Sequence, residues 1–111
     1  MQWNCRGLFC NLDDVKFLLH EYEPSAFCLQ ETYLKPSSSN FLKSYQIYRK
    51  DRVTISGASG GVAIIVDSGI PACEVSLDTS LEAVAVRLLQ GRLITNTVSL
   101  QIGSSQCYAT L

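Results

Sequence analysis

The sequence predicts an α+β fold: a mixed sheet with one early helix and several antiparallel strands. Three observations carry that expectation. Apolar residues recur at helical spacing in one early stretch, Leu12 to Tyr22, which Pro24 closes. Short β-prone runs then succeed one another from Tyr45 to Val98, separated by Gly-containing turns. The opening strand, the helix and the next strand fall in β-α-β order, which suggests a mixed sheet with the helix on its outer face.

Each element has its own signal. Gln2-Trp3-Asn4-Cys5-Arg6-Gly7-Leu8 reads as a strand whose last residues turn polar. Asn11 stands where a helix N-cap belongs, Asp13 and Asp14 suit the first turn, and Leu12, Val15, Leu18, Leu19 and Tyr22 share one face, giving a helix over about residues 12–23. Ala26 to Gln30 is a short apolar run fit for a buried strand. Tyr33 to Ser44, with Pro36 and the run Ser37-Ser38-Ser39-Asn40, favours an exposed loop. Tyr45 to Arg49 resumes strand character, Gly57 to Gly61 forms a turn, and Val62 to Val66 is a strand that ends at the turn Asp67-Ser68-Gly69. Ala72 to Leu77, Ala83 to Leu88 and Leu93 to Val98 complete the series, the last two joined as a hairpin around Gln90-Gly91.

Composition narrows the class. With 111 residues, 47% hydrophobic and 17% charged, the chain can build one core of modest size and is too apolar to be disordered. Its apolar stretches fall well short of the roughly 20 residues of a membrane span. No signal-peptide pattern opens the chain, so an intracellular setting, nuclear or cytoplasmic, is expected. Cys5, Cys10, Cys28, Cys73 and Cys107 are odd in number and widely spaced, which excludes a disulfide framework and a zinc ribbon in favour of reduced, mostly buried thiols. The net charge of −1 gives no global case for nucleic acid. Locally, Lys35, Lys43, Arg49, Lys50 and Arg52 stand against Asp51 alone, a stretch of net +4 able to meet a phosphate backbone. Lys43, Arg49, Lys50 and Arg52 are the nucleic-acid contact candidates, against the simpler reading of a solvated loop.

The chemistry-bearing phrases are Trp3-Asn4 with Gly7-Leu8, and Leu29-Gln30-Glu31-Thr32 after the helix and strand. A polar Asn and a carboxylate delivered to neighbouring strand ends can share one cation. These phrases, followed in order by Tyr48-Arg49 with Asp51-Arg52, by Ser59-Gly60-Gly61-Val62-Ala63-Ile64 and by Leu81-Glu82-Ala83-Val84-Ala85-Val86, resemble the apurinic-endonuclease-like domain of non-LTR, jockey-type retrotransposons, a branch of the endonuclease/exonuclease/phosphatase superfamily. The resemblance covers residues 1–100, as the N-terminal part of such a domain, with 101–111 a divergent tail. It implies the first portion of a four-layer α/β/β/α sandwich (DNase I-like) that hydrolyses phosphodiesters of DNA with Mg2+. By the same resemblance Glu31 is the metal ligand and Asn4 the catalytic residue that orients groups around it. Arg6 stands where many relatives carry an acidic or amide residue. Gln101 occupies the place of a phenol, and Gly103 that of a proline, in the family's Ser-x-Tyr-x-Pro-Pro phrase; the Gly-Asp-Phe-Asn and Ser-Asp-His phrases are not in the 111 residues.

The resemblance therefore implies a truncated or decayed retrotransposon endonuclease domain, ancestrally a magnesium-dependent nuclease that nicks DNA and inactive alone, because a positioned general base alone is worth about 10²–10⁴-fold. Competing readings are a fragment of a mobile-element polyprotein whose later part is an RNA-directed DNA polymerase, a piece of an exonuclease or lipid-phosphate phosphatase branch, or a non-enzymatic binding remnant. The second sheet is expected to be largely absent, so that the inner face of the first is uncovered and offers itself to a protein partner. Trp3 is expected in the core and His20 at the surface or half-buried. Neither a Gly-x-Ser-x-Gly elbow nor a Gly-Lys-Ser/Thr phosphate loop is present.

Overall fold

The helix forms where its spacing places it. In the computed structural model, which describes residues 1–38, 42–54, 57–58, 60–102 and 105–110, α1 spans Leu12–Tyr22 and buries Val15 and Leu19. Glu23 takes a left-handed conformation (φ 43°) and its N–H donates to Leu19 O at 3.1 Å, so the helix closes one residue before Pro24. Asn11 does not cap the helix through its side chain. Its Nδ2 instead donates to Cys5 O (2.7 Å) and Gly7 O (3.2 Å), holding the loop that leads out of the first strand.

Two four-stranded sheets follow from the strand runs. The first has the order β1-β2-β6-β3, with β1 (Gln2–Asn4) parallel to β2 (Ala26–Gln30), and β6 (Val62–Asp67) antiparallel to both β2 and β3 (Tyr45–Lys50). Between β3 and β6 lies a two-residue ladder of β4 (Val53–Thr54) and β5 (Gly57–Ala58). The second sheet is an antiparallel meander, β7 (Ala72–Val75), β8 (Glu82–Gln90), β9 (Leu93–Ile102) and β10 (Ser105–Thr110). The segment set apart in sequence as a tail thus supplies the edge strand β10.

Alternation in β2 and β6 explains why both read as continuous apolar runs. Phe27, Leu29, Ala63 and Ile65 face α1 and pack with Val15, Leu19, Leu8 and Cys5. Cys28, Val62, Ile64 and Val66 face the other way and pack on Val84, Val86 and Leu88 of β8. A strand buried on both faces has no polar side to show. This second cluster corrects the expectation of an uncovered first sheet: the turn between Asp67 and Ala72 carries the chain from β6 into the later strands, which pack over it as a second layer, so that face has no room for a partner protein. Trp3 packs half-buried against the helix-side core, as its aromatic character suggests. The Tyr33 to Ser44 segment carries no regular structure among its described residues, yet Leu34 and Leu42 are buried and pin it to the core; burying one such side chain contributes about 1.5–3 kcal/mol. Among the described residues no helix is long and apolar enough to cross a membrane.

Candidate functional site

Register fixes where the predicted site residues meet. In the β1–β2 ladder Asn4 lies opposite Gln30, one residue before Glu31. The pairing then continues past both strands: Cys5 N–H donates to Gln30 O (3.1 Å), Gly7 N–H to Glu31 O (2.8 Å) and Leu8 N–H to Thr32 O (2.9 Å). From the other side, Thr32 N–H donates to Gly61 O (3.3 Å) and Tyr33 N–H to Gly60 O (2.9 Å). Glu31 to Tyr33 is therefore clamped between the β1 exit and the β6 entry. The structure brings Asn4 and Glu31 to one end of the sandwich, as neighbouring strand ends.

Backbone geometry at this end is unusual. Arg6, Glu31 and Tyr33 have φ of 46°, 54° and 53°, conformations that side-chain-bearing residues adopt at a cost of order 1–3 kcal/mol each and that gather at functional sites. Asn4 Oδ1 accepts the N–H of Arg6 at 3.3 Å, a local turn that fixes the amide beside the strand end.

Beneath this rim sits a polar core that the sequence patterns did not mark. Gln30 is fully buried and its Nε2 donates to Ser99 Oγ (3.1 Å), while Ser99 Oγ donates to Leu29 O (3.2 Å), joining the two sheets under the site. Gln30 Oε1 and Thr32 Oγ1 are buried with no protein partner, on either side of Glu31 in the chain. Glu82 is the second omission. Its carboxylate accepts the Gly61 N–H and lies 3.3 Å from Arg52 Nε. The available signal was a single polar residue closing or opening an apolar run, Gln30 after Phe27-Cys28-Leu29 and Glu82 before Ala83-Val84-Ala85-Val86.

The basic candidates divide. Lys50 and Arg52 follow β3 to the same end as Glu31, since Lys50 pairs with Val62 and Val62 with Gln30. Lys50 Nζ donates to Leu81 O at 2.7 Å. Arg49 is held within the protein: Nη2 donates to the carbonyls of Lys35, Pro36 and Ser38, and Nε lies 3.5 Å from Asp51. Burial pushes the Asp51 carboxyl up, and Arg49 opposes that shift. Lys43 precedes Tyr45, which pairs with Asp67 at the opposite end of the sheet. His20 is exposed on α1, beside a cleft that also takes in Glu23 and Asp67, again away from Glu31. Gln101 lies opposite Glu82 in the β8–β9 register, its side chain outside the described residues, as is Gly103 altogether.

Among the described residues no three His, Cys, Asp or Glu side chains converge as a ready-made cage. One half-buried Glu and one Asn at neighbouring strand ends suit a magnesium ion, which keeps several waters and completes its shell with phosphate oxygens; they do not fit a zinc site of three or four protein ligands.

No protein-family model matches the chain, and no curated protein matches it. In fold the chain is similar to the solved structure of the 3' phosphatase NExo from Neisseria bound to a product DNA hairpin, with a TM-score of 0.54 and 17% identity, over 84% of this chain and 37% of that one. The chain spans about 37% of the length of that structure. Among the described residues, one α-helix and two four-stranded sheets thus form part of a DNase I-like architecture.

Proposed function

We propose that this chain is the cation-anchoring front portion of a magnesium-dependent phosphodiester hydrolase of the endonuclease/exonuclease/phosphatase type, in the form carried by non-LTR retrotransposons, with DNA as its ancestral substrate. The observation that supports the reading is the Asn4–Gln30 register, which puts residue 31 and Asn4 at the ends of adjacent parallel strands. A fold shared with a 3' phosphatase bound to DNA supports phosphoester chemistry on nucleic acid. Lys50 and Arg52 at the same end support a polyanionic ligand.

In this reading Glu31 would hold the cation and Asn4 would orient groups around it, and the ion would supply neutralisation of charge that builds on the phosphate oxygens. Neither residue is a base that activates water. The Tyr, Asp, Asn and His phrases that the family uses for that purpose are not in the sequence, so this polypeptide alone binds without turnover.

The test pairs plasmid nicking in Mg2+ with Mn2+ titration, on the wild-type chain and Glu31→Ala. Expected are nicking at background for both proteins and Mn2+ binding lost in the variant. Metal-dependent nicking abolished by Glu31→Ala would refute the inactivity, and equal Mn2+ binding by both proteins would refute the anchor.

A further inference from the structure

Glu82 stands on the second sheet, yet its carboxylate reaches the first. One oxygen accepts the N–H of Gly61 and the other lies 3.3 Å from Arg52 Nε, with the Glu82 side chain only 13% exposed. Gly61 and Gly60 in turn supply the carbonyls that accept the N–H groups of Thr32 and Tyr33. The two strands approach closely here: a Cβ on Gly61 would stand 2.6 Å from Thr32 Oγ1. An unbroken path of hydrogen bonds therefore runs from the Glu82 carboxylate, through the Gly60–Gly61 backbone, to the residues immediately after Glu31.

We infer that Glu82 is a positioning residue for the Glu31 segment: its carboxylate fixes the Gly60–Gly61 turn, and that turn holds Glu31 to Tyr33 in the strained geometry that presents the Glu31 carboxylate at the strand end. The role deepens the cation-anchor reading and rests on it for its consequence, though the backbone coupling is measurable without any metal.

Three features require such a support. Glu31 and Tyr33 both sit at positive φ, so the segment relaxes unless the surroundings over-determine it. The β1 side contributes N–H donors to Glu31 O and Thr32 O, and the β6 side contributes acceptors to Thr32 N–H and Tyr33 N–H, so loss of either side frees half of the clamp. Gly60 and Gly61 are themselves at φ 63° and 90°, a turn with little intrinsic preference for one shape. The Glu82 carboxylate, a charged acceptor paired with Arg52 and largely withdrawn from water, is the group that selects that shape.

Glu82→Ala and Glu82→Gln in the full chain test the assignment. The glutamine keeps an acceptor oxygen for Gly61 N–H but gives up the charge and the oxygen that faces Arg52, whereas alanine removes both oxygens. Amide hydrogen exchange, read per residue by NMR without metal, is expected to quicken at Thr32 and Tyr33 in Glu82→Ala, relative to the β2–β6 ladder, and to return toward wild type in Glu82→Gln. Mn2+ affinity is expected to fall about tenfold in the alanine variant, the lower end of what outer-shell partners of a metal ligand are worth, and to recover in the glutamine variant. Exchange at Thr32 and Tyr33 that is unchanged, or that quickens only in step with the whole β2–β6 ladder, overturns the proposal. So does unaltered Mn2+ affinity in Glu82→Ala when the wild-type chain binds Mn2+ through Glu31. If Glu31→Ala and wild type take up Mn2+ equally, the cation-anchor reading fails by itself, and the exchange experiment alone decides the role of Glu82.

Discussion

Gly61→Ala isolates the close approach between the β6 entry and the Glu31 segment. Gly61 has φ 90°, and an alanine Cβ would stand 2.6 Å from Thr32 Oγ1, with Lys50 O and Asp51 Cα at 3.6 and 3.7 Å. The left-handed backbone costs an L-residue about 1–2 kcal/mol. Thr32 is buried, so its hydroxyl cannot swing into solvent, and forcing one extra carbon into such a site costs about 1–3 kcal/mol more. The sum, roughly 2–5 kcal/mol, is a large share of the roughly 5–15 kcal/mol that holds a domain folded. Gly91→Ala is the matched control: φ is 62°, nothing lies within 4 Å of its Cβ, and only the backbone contribution of about 1–2 kcal/mol remains. Urea unfolding followed by fluorescence of Trp3, the one tryptophan and packed against the helix-side core, reads both variants. The Gly61→Ala midpoint should fall well below that of Gly91→Ala at an unchanged m-value. A Gly61→Ala midpoint equal to or above the Gly91→Ala midpoint refutes the packing argument and, with it, the clamp around Glu31.

Three further outcomes are expected from the same geometry. Ser99→Ala strands the Gln30 amide between the sheets and should cost about 1–3 kcal/mol in urea unfolding, with Gln30→Leu added to Ser99→Ala recovering part of the loss; additive losses would argue against the pair. Burial pushes the Cys5 and Cys28 thiols up from 9.0 to about 11, so the folded state holds these protons more tightly than the unfolded chain; their contribution is present below pH 9 and is lost as pH rises toward 11. Iodoacetamide at pH 8 should accordingly label the exposed Cys10 and Cys73 in the native protein and reach Cys5 and Cys28 only in urea; native labelling of the latter pair would contradict the packing. If DNA is held at the Glu31 end, Lys50→Ala should lower the slope of log affinity against log salt by about one and Lys43→Ala should leave it unchanged, whereas equal effects would remove the end-specific docking.

The parts of the fold that were legible are those set by local periodicity and chain punctuation. Leu12, Val15 and Leu19 recur on one helical face, Pro24 stops the helix, and Gln90-Gly91 closes a hairpin; each is decided within a few residues of itself. Layering was not legible, because period-two alternation in Val84, Val86 and Leu88 marks a buried face without naming the sheet that buries it. Asn11 shows the same limit at smaller scale: a good capping residue spends its amide on Cys5 O and Gly7 O, a tertiary contact that overrides the local preference. Of the site, the Asn4 and Glu31 strand ends were legible as motifs, and their adjacency required the parallel register. Arg49 was read as a charge, but its hydrogen bonds to the carbonyls of Lys35, Pro36 and Ser38 make it a brace for the loop after Leu34.

Closure of the sandwich and formation of the site end are one event in this chain. The Glu31 segment owes its β6-side clamp to Gly60 and Gly61, Gly61 is held by Glu82 of the second sheet, and Gln30 reaches Ser99 of that same sheet directly beneath. The contacts of Glu82 with Gly61 and of Gln30 with Ser99 do not exist while the second sheet is unpaired. Because Glu31 and Tyr33 hold backbone conformations costing of order 1–3 kcal/mol each, the segment relaxes in any state that lacks them. A ligand that binds only the clamped geometry therefore stabilises the inter-sheet contacts as well, and its affinity and the unfolding midpoint must move together across substitutions at Glu82, Ser99 and Gly61. Substitutions confined to the other end, such as Lys43→Ala, leave both quantities where they were.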